Sequence, residues 1–263
     1  MTIEALTDAD IRWETVADYA SACSWRAGKL LAQQMRSKAF QAWERVFVAF
    51  PEDGGIAGYC TLAEQDCLPN VPYSPYIGMV FVGEAYRGQR LSERLLRAAS
   101  DYAATLGRPR VFLVSDHEGL YEKYGFTPVD KRPAPWDSQT METVFCRHTG
   151  YLPDVSPLIG RAVSGHIDRP MHSRHPSAGF LYPVNYGYVD GVMAADGDEQ
   201  DVYLLGVDHP VETFEGKVIA VYHRFDDVED KWIVTPDGAD LPDEEILRQI
   251  EFQEQFFHGQ LLR

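Results

Sequence analysis

The 263-residue chain lacks the features of several protein classes. No apolar run reaches the roughly 18 residues that a membrane span needs. Residues 1–18 have neither the basic end nor the apolar stretch of a signal peptide. None of the four cysteines, Cys23, Cys60, Cys67 and Cys146, belongs to a CxxC pair, which favours free thiols over a zinc site or disulfides. We therefore expect a cytoplasmic protein that has no membrane partner.

Basic side chains are scarce in the second half of the chain. Residues 1–150 carry 19 acidic and 16 basic side chains, a net charge of −3. Residues 151–263 carry 21 acidic and 8 basic side chains, a net charge of −13. Such acidity argues against nucleic acid as a partner of the second half. It is compatible with divalent cations, which bind clustered carboxylates, and equally with solubility alone.

Hydrophobic periodicity predicts an α/β arrangement in the first half. Alternating or continuous apolar runs predict strands, and apolar residues three or four positions apart predict helices. The predicted order is helix, strand, strand, strand, helix, strand, short helix and strand, over residues 11–38, 46–50, 56–62, 77–82, 91–106, 111–114, 119–124 and 142–147.

The chain then changes character after a predicted linker. Residues 149–157 contain two prolines and a glycine, which predicts a boundary between a first domain, 1–148, and a second, 158–263. A single helix, starting at Pro242 and Asp243, is predicted to close the chain, with Ile246, Leu247, Ile250 and Phe257 packing on the rest. Short β segments precede it, at residues 162–167, 202–205, 217–222 and 232–234.

A basic turn between a predicted strand and a predicted helix carries the first chemical signal. The amides at a helix N-terminus are unpaired and carry partial positive charge, which suits a diphosphate. Glycine lets the backbone approach the phosphates, and two arginines add charge. A purely structural role for the turn is the alternative. Its residues are Arg87, Gly88, Gln89, Arg90, Leu91 and Ser92.

The second signal is the LYEKYGF segment, residues 120–126, which follows the next predicted strand. Together with the basic turn and the order of elements, it resembles the GNAT N-acetyltransferase superfamily over residues 1–148. The resemblance implies an α/β GNAT acetyltransferase fold and acetyl-CoA as the cofactor. It also implies that the backbone of Phe81 and Val82 binds the pantetheine arm, that the turn amides hold the CoA diphosphate, and that Tyr121 protonates the departing thiolate.

Two turn positions depart from the family pattern. Arg90 replaces the usual second glycine, and Ser92 stands where glycine or alanine is usual. Arg90 either contacts a phosphate or tightens the turn less well than glycine. A packing role is the alternative for Tyr121.

Acetyl transfer also needs a base, because the attacking amine must be neutral and must lose a proton. Asp116 and His117 follow a predicted strand and are the candidates, with Glu84 as a third. Each is equally suited to be a cap or a surface residue. The acceptor is a small-molecule or peptide amine whose identity the sequence does not specify.

An acidic segment in the second half predicts a metal site. Asp196, Asp198 and Asp201 place three carboxylates within six residues, and such oxygen ligands suit Mg²⁺ or Mn²⁺. Two close metals can share carboxylates and activate a water for attack on phosphorus. The segment does not match an EF-hand loop. An acidic surface turn or a lone calcium loop is the alternative.

Two further motifs flank this segment, YPVNYGY at residues 182–188 and DDVEDK at residues 226–231. In this order they resemble family I soluble inorganic pyrophosphatase over residues 158–236. The resemblance implies a small OB-like β-barrel with a C-terminal helix and a pyrophosphate or related phosphate ligand. The implied metal ligands are Asp196, Asp198 and Asp201, with Asp226 or Asp227, and with Glu229 or Asp230. The implied phosphate ligands are Arg169, Tyr182, Tyr186 and Lys231.

Departures from the pyrophosphatase pattern leave two functions open. The early strand, residues 161–166, lacks the family's acidic residues, and residues 256–258 replace its C-terminal Tyr-Lys pair. The insertion at residues 171–176 either supplies replacement cations or is an ordinary loop. In the first hypothesis the chain is bifunctional, joining an N-acetyltransferase to a Mg-dependent phosphoanhydride hydrolase. In the second, the C-terminal domain is a non-catalytic phosphate-binding or regulatory module.

Overall fold

The chain folds into two units, Met1–Leu152 and Pro153–Arg263. The structure, a computed structural model, describes residues 1–176 and 179–263. The boundary between the units falls inside the predicted linker, residues 149–157. None of the described helices has both the length and the apolar character that crossing a membrane requires.

The first unit is a seven-stranded sheet with helices on both faces. The strand order is β1-β2-β3-β4-β5-β7-β6, and only the β4–β5 pair is parallel. Short 3-10 turns at Glu84–Tyr86 and Glu122–Tyr124 follow β4 and β5. The elements are β1 (Thr2–Leu6), α1 (Trp13–Ala22), α2 (Gly28–Arg36), β2 (Arg45–Phe50), β3 (Gly58–Ala63), β4 (Tyr76–Val82), α3 (Leu91–Thr105), β5 (Arg110–Ser115), β6 (Thr127–Ala134) and β7 (Asp137–His148).

Two separate cores lie on the two faces of this sheet. Side chains along β2 alternate between them, so Phe47 and Ala49 join the core under α3, while Val46 and Val48 join the core under α1 and α2. Helix α3 is amphipathic because its apolar residues recur at helical spacing. Its buried apolar residues are Leu91, Leu95, Leu96, Ala99 and Ala103.

Strand β4 separates from β5 beyond a bulge. The only registered pair between these strands is Tyr76 with Phe112. On the other side of β4 the register with β3 shifts, so that Met79 and Val80 together oppose Cys60. Met79 accordingly has a left-handed backbone, with φ of 50°. The carboxyl end of β4 therefore has no partner strand on its β5 side.

Three features of the first unit differ from the sequence prediction. The predicted helix over residues 11–38 is two helices, α1 and α2, because the chain bends between Cys23 and Ala27. Strands β1 and β6 were not predicted. Both are edge strands that pair with one neighbour, and β6 contains Pro128 and Pro133, which an edge strand tolerates.

The second unit is a closed barrel of five strands with one added strand. The order is β12-β10-β9-β8-β11-β13, and β12 also pairs with β11, which closes the barrel. This confirms the small barrel predicted from the sequence. The elements are β8 (Ala162–Arg169), β9 (Asn185–Met193), β10 (Glu199–Leu204), β11 (Thr213–Arg224), β12 (Lys231–Thr235), α4 (Asp243–Glu254) and β13 (Gly259–Leu262).

Helix α4 packs on the barrel through Ile246 and Ile250, which are fully buried. Leu247 is 41% exposed, so its predicted packing is wrong. The helix also does not close the chain, because β13 follows it and pairs with β11. Strand β9 was not predicted, since it contains two glycines, a residue type depleted in strands.

A buried ion pair ties α4 to the barrel wall. Arg224 on β11 donates to both carboxylate oxygens of Glu254, at 2.8 and 2.6 Å, and also to Asp227 at 2.7 Å. The Tyr203 hydroxyl on β10 donates to the same Glu254 carboxylate. Arg224 and Glu254 are buried, so the guanidinium needs this anion in place of water.

We therefore expect Glu254→Gln to lower the free energy of unfolding by about 3 kcal/mol, because a buried guanidinium would lose one of its carboxylates. Urea unfolding of the full chain measures the loss, and hydrogen exchange in α4 and β11 assigns it to the second unit. Glu251→Gln, an exposed position on the same helix, is the matched control and should change little. Equal stabilities of the two variants would contradict the prediction.

Candidate functional site

The turn between β4 and α3 has a backbone suited to a diphosphate. Gly88 and Arg90 are left-handed, with φ of 76° and 55°, and Arg90 makes no side-chain cap on α3. The amides of Leu91 and Ser92 therefore point out of the helix start with no capping side chain. A Cβ added at Gly88 would meet no atom within 4 Å, so this turn faces open space. The Gln89 side chain folds back on the preceding 3-10 turn, at 3.4 Å from a carbonyl.

The two turn arginines are exposed and only weakly held. Arg87 donates to the Val82 carbonyl at 3.3 Å and to the Glu84 carboxylate at 3.0 Å. Arg90 donates to the Glu93 carboxylate. Exposed pairs of this kind contribute little to stability, so both guanidinium groups are free to turn toward a phosphate. Glu84, the third candidate base, has its pKa lowered by the Ser24 hydroxyl first, and Arg87 adds to the lowering.

Phe81 and Val82 end β4 where the strand has left β5. The Phe81 ring is buried, 5.4 Å from the Tyr59 ring and stacked on Trp25 at 6.5 Å. No described strand pairs with the β5-side edge of β4 at these two residues. The edge is therefore available for an extended ligand that binds through backbone hydrogen bonds.

Tyr121 precedes the second 3-10 turn and is partly buried. Its ring packs 5.7 Å from that of Phe145. Burial raises the pKa of Tyr121, and a hydrogen bond with the Ser115 side chain at the end of β5 opposes the rise. The Tyr124 hydroxyl, which the sequence analysis did not single out, lies 3.3 Å from Ser92 Oγ at the start of α3. The LYEKYGF segment thus brings the Tyr124 hydroxyl to the end of the basic turn and the Tyr121 hydroxyl to the end of β5.

Asp116 and His117, the predicted bases, follow β5 directly. They contact each other, with His117 Nδ1 3.0 Å from Asp116 Oδ1, and both side chains are 66% exposed. The Ser115 hydroxyl lies 3.1 Å from the same His117 nitrogen. Asp116 and His117 thus directly follow Ser115, the hydrogen-bond partner of Tyr121, but their own side chains lie at the surface.

A buried lysine organises the candidate site of the second unit. Lys231, the first residue of β12, is 2% exposed, and its ammonium donates to the carboxylates of Asp201 and Glu229. Asp201 on β10 also accepts from the Tyr186 hydroxyl on β9. Burial raises the pKa of Glu229 more than Lys231 lowers it, and the Asp201 charge adds to the rise. Two carboxylates therefore share one ammonium in a poorly solvated position.

The other predicted phosphate ligands lie beside this group. Arg169 ends β8 in register with Tyr186, whose ring is 5.5 Å from that of Tyr182. Burial raises the pKa of Tyr182, and the Arg169 guanidinium opposes the rise. Asp168, which the sequence analysis missed, pairs with Arg169 at 3.0 Å and feels the charge of Asp201. Asp168 lies two residues past the early strand segment, residues 161–166, which contains no acidic residue. The sequence therefore gave no signal that Asp168 belongs to the site.

The seven predicted metal ligands divide into two groups. Asp196 and Asp198 share one turn, with the Asp198 amide donating to Asp196 Oδ1 at 3.0 Å, and the Asp196 charge acts on Glu229. With Asp201 and Glu229, which share the Lys231 ammonium, they form the first group. Among residues 1–176 and 179–263, no three His, Cys, Asp or Glu side chains are placed to hold a metal ion.

The second group pairs with cationic or ionisable side chains. Asp226 contacts the His258 ring at 2.8 Å, Asp227 accepts from Arg224 at 2.7 Å, and Asp230 contacts the His223 ring at 2.8 Å. These partners come from β11 and from the segment before β13. All three carboxylates thus have side-chain partners within the second unit.

The insertion at residues 171–176 contacts Tyr182, a predicted phosphate ligand, through two backbone hydrogen bonds and one ring. His175 stacks on Tyr182, with ring centroids 6.1 Å apart and planes 16° apart. The Arg174 guanidinium donates to the Gly179 carbonyl, and the Met171 amide donates to the Asn185 side chain at 2.9 Å. The insertion therefore supplies an aromatic neighbour to the site.

Comparison with known proteins identifies the first unit. The family model described as "Acetyltransferase (GNAT) family" matches residues 10–126. The first unit is therefore a domain of the GNAT acetyltransferase family, and its predicted fold is confirmed. Similar solved structures include an aminoglycoside 6'-N-acetyltransferase complexed with coenzyme A, at 14% identity and a TM-score of 0.46, covering 59% of this chain and 100% of that one. The enzyme of that name from Enterococcus faecium is 14% identical, with a TM-score of 0.47 and the same coverage.

Curated relatives are similar to a part of the chain. Inorganic pyrophosphatases of Neisseria meningitidis serogroups A and B are 37% and 36% identical to it over 89 residues. Each match covers 28% of this chain and 49% of the relative. The chain thus spans about half the length of the curated relatives that it matches.

Arg90 gives a direct test of the turn's backbone. A residue other than glycine in the left-handed conformation costs about 1–2 kcal/mol of stability. Glycine avoids this cost, but it loses more conformational freedom on folding, which offsets part of the gain. We expect Arg90→Gly to raise the free energy of unfolding by up to about 1 kcal/mol. Arg97→Gly, within α3, should lower it by about 1 kcal/mol. Urea unfolding compares them, and a loss of stability in Arg90→Gly would contradict the left-handed assignment.

Proposed function

We propose that the first unit transfers an acetyl group from acetyl-CoA to an amine. The observation that carries the proposal is the turn after β4, where two left-handed residues leave the α3 amides open beside two mobile arginines. These groups match the charge and size of a diphosphate. The unpaired edge of β4 at Phe81 and Val82 adds backbone groups for an extended arm.

The residues of the first unit divide the work of acetyl transfer. The turn from Arg87 to Ser92 binds the CoA diphosphate, and the β4 edge orients the arm. The Tyr121 hydroxyl, whose raised pKa keeps it protonated, donates to the departing thiolate. Asp116 and His117 are the bases proposed from sequence. A small-molecule or peptide amine is the acceptor.

Acetyl-CoA binding tests this proposal. A ligand that binds only the native state raises the melting temperature, so millimolar acetyl-CoA should raise that of the wild-type chain. Arg87→Glu places a negative charge beside the diphosphate and should abolish the shift. Arg97→Glu is the matched control, since Arg97 is equally exposed on α3 and also pairs with one carboxylate. An unshifted wild-type melting temperature would refute the proposal.

We further propose that the second unit binds a pyrophosphate-type ligand. Lys231, Arg169, Tyr182 and Tyr186 supply charge and hydroxyl donors on one side of the group. Their convergence around Asp201 supports the proposal. The partial similarity to inorganic pyrophosphatases agrees with it.

Mg²⁺ or Mn²⁺ would be held by the carboxylates that lack histidine or arginine partners, Asp196, Asp198, Asp201 and Glu229. A bound divalent cation would neutralise phosphoanhydride oxygens and activate a water. The donor set fits in chemistry, since hard cations prefer carboxylate oxygens. The Lys231 ammonium lies between two of these groups, so a metal ion would have to share or displace it.

The second candidate function is a non-catalytic phosphate-binding or regulatory module. The pairing of Asp226, Asp227 and Asp230 with side chains of the barrel favours it, because it removes three of the seven predicted metal ligands. Binding would then persist without hydrolysis. Phosphate release from pyrophosphate and Mg²⁺ separates the two functions.

Calorimetry on the full chain tests the second site. Pyrophosphate should bind more tightly with Mg²⁺ or Mn²⁺ present. Asp201→Asn removes charge while keeping shape and should weaken this metal-dependent binding by at least about 10-fold. Asp208→Asn, at an exposed residue paired only with His209, is the control. No heat from metal, pyrophosphate or both would contradict the proposal, and equal binding by Asp201→Asn would remove that residue from the site.

A further inference from the structure

A cavity of about 430 Å³ lies in the first unit, and it has a strongly acidic lining. Its walls come from α2, the segment before β2, the end of β3 and the loop that follows it. Three carboxylates line it, Glu44, Glu64 and Asp66, together with three glutamines, and the lining includes no lysine, arginine or histidine. Such a cavity attracts a cation and repels an anion.

Two of the three carboxylates have different roles in the fold. Glu44 is 7% exposed and accepts the backbone amides of Gln41 and Glu64, both at 2.7 Å, so it holds the chain together. Asp66 uses one oxygen to accept the Cys67 amide at 2.8 Å. Its other oxygen, Oδ2, has no hydrogen-bond partner among the residues that the structure describes. Asp66 thus presents a carboxylate oxygen without a protein partner at the cavity wall.

Asp66 also lies against the part of β4 that leads to the acetyl-CoA site. A Cβ added at Gly78 would be 3.0 Å from Asp66 Oδ2, so glycine makes room for the carboxylate. The next residue, Met79, forms the β4 bulge and belongs to the cavity wall. The Asp66 charge reaches Tyr121 and contributes to its raised pKa. The cavity therefore adjoins β4 at its bulge, and the charge of one of its carboxylates acts on the proposed thiolate acid.

A second polar group in this region lacks a partner. The Tyr76 hydroxyl on β4 is buried and has no hydrogen bond within the described parts of the chain. The Asp66 charge acts on it as well. Buried hydroxyl groups normally have partners, so this hydroxyl remains available as a donor or acceptor within the reach of the Asp66 charge.

We propose that this cavity takes a cationic amine as the acetyl acceptor and that Asp66 is the base that removes a proton from it. The inference rests on the acetyl transfer proposed for the first unit. It assigns the base to Asp66 in place of Asp116 and His117. It also narrows the acceptor class to amines that carry at least one further positive charge. The reason is that the carboxylates of Glu44 and Glu64, which also line the cavity, would attract that second charge.

The transfer balances with the groups present. The ammonium of the acceptor gives one proton to Asp66 and becomes a neutral amine. Asp66 then passes that proton to water. The nitrogen then attacks the thioester carbonyl carbon, so a C–N bond forms and the C–S bond breaks. The leaving sulfur takes a proton from the Tyr121 hydroxyl. As the amide forms, the nitrogen loses its second proton, which reprotonates Tyr121. The nitrogen's third proton stays on the amide.

The protonation of Asp66 suits this role. Burial raises its pKa to about 6, the Cys67 amide opposes the rise, and Glu142 on β7 adds to it. The other titratable groups that face it are Cys67, Tyr76 and Tyr121, none of which is cationic. A base whose pKa lies near neutral pH accepts a proton and releases it again most effectively. Asp116 and His117, by contrast, have side chains that are 66% exposed.

The test follows acetyl-CoA consumption by the full chain, as free thiol, with spermidine and 1,4-diaminobutane as cationic amines and glutamate as an anionic one. We expect turnover with the first two only. Asp66→Asn should lower kcat by about 100-fold or more, with acetyl-CoA affinity unchanged. The rise of kcat/KM with pH near pH 6 should disappear in this variant. Asp53→Asn, at an exposed turn, is the matched control, and Asp116→Asn tests the rival base.

A second variant keeps the test decisive if Asp66→Asn does not fold. Gly78→Ala retains the carboxylate but pushes it aside, and should lower kcat without removing acetyl-CoA binding. Full activity of a folded Asp66→Asn chain would overturn the inference. So would faster turnover of glutamate than of both cationic amines, or no turnover of spermidine and 1,4-diaminobutane. In those cases intact acetyl-CoA binding leaves the proposed acetyl transfer standing. Loss of acetyl-CoA binding in the wild type would refute both.

Discussion

The ammonium of Lys231 must be neutralised inside the barrel, and the arrangement of the second unit follows from this requirement. A buried charge without a partner is too costly to keep. Strand β10, parallel to β12, brings Asp201 to it, and the segment before β12 brings Glu229. The same carboxylate then holds the Tyr186 hydroxyl, which fixes β9 against β10. The charged centre of the site is thus balanced before any ligand arrives. In the proposed ligand binding, a divalent cation would have to compete with this internal cation, so that the proposed metal and phosphate binding would be two parts of one equilibrium.

The first unit depends on a different constraint, the departure of β4 from β5. Backbone groups that would otherwise join two strands are left for an extended ligand arm, and the following turn exposes the start of α3. On the opposite side of the same strand, Gly78 leaves space for the Asp66 carboxylate. One irregular strand therefore separates a cofactor side, rich in amides and arginines, from an acceptor side, rich in carboxylates. The two substrates of the proposed transfer carry opposite charges, and the two sides match them.

Local patterns predicted the elements that carry their own signal. The helical spacing of α3, the continuous apolar run of β4 and the basic turn between them all lie within short stretches of sequence, and so do the motifs around Asp201. Edge strands such as β6 gave no such signal, because prolines and one-sided pairing obscure the alternation of residues. The partners of Asp226, Asp227 and Asp230 were out of reach for another reason. They are set by how β11 and the segment before β13 fold back, which is a long-range property. Asp66 was missed for the same reason, since its significance comes from a cavity whose walls are distant in sequence.

The β4 bulge also has a consequence for how the strand can vary. Before the bulge, odd-numbered residues such as Ile77 face the core under α3, whereas after it even-numbered ones such as Val82 do, and Phe81 faces the other core. The alternation of side chains between the two cores therefore shifts by one residue at Met79 and Val80. Removing one residue there would restore an unbroken alternation and keep every later side chain on its present face, but it would abolish the bulge beyond which β4 leaves β5. Inserting one residue would turn every later side chain to the wrong face. The length of this strand is consequently as strictly constrained as the identity of any of its residues, and homologous chains should show substitutions here but neither single-residue insertions nor deletions.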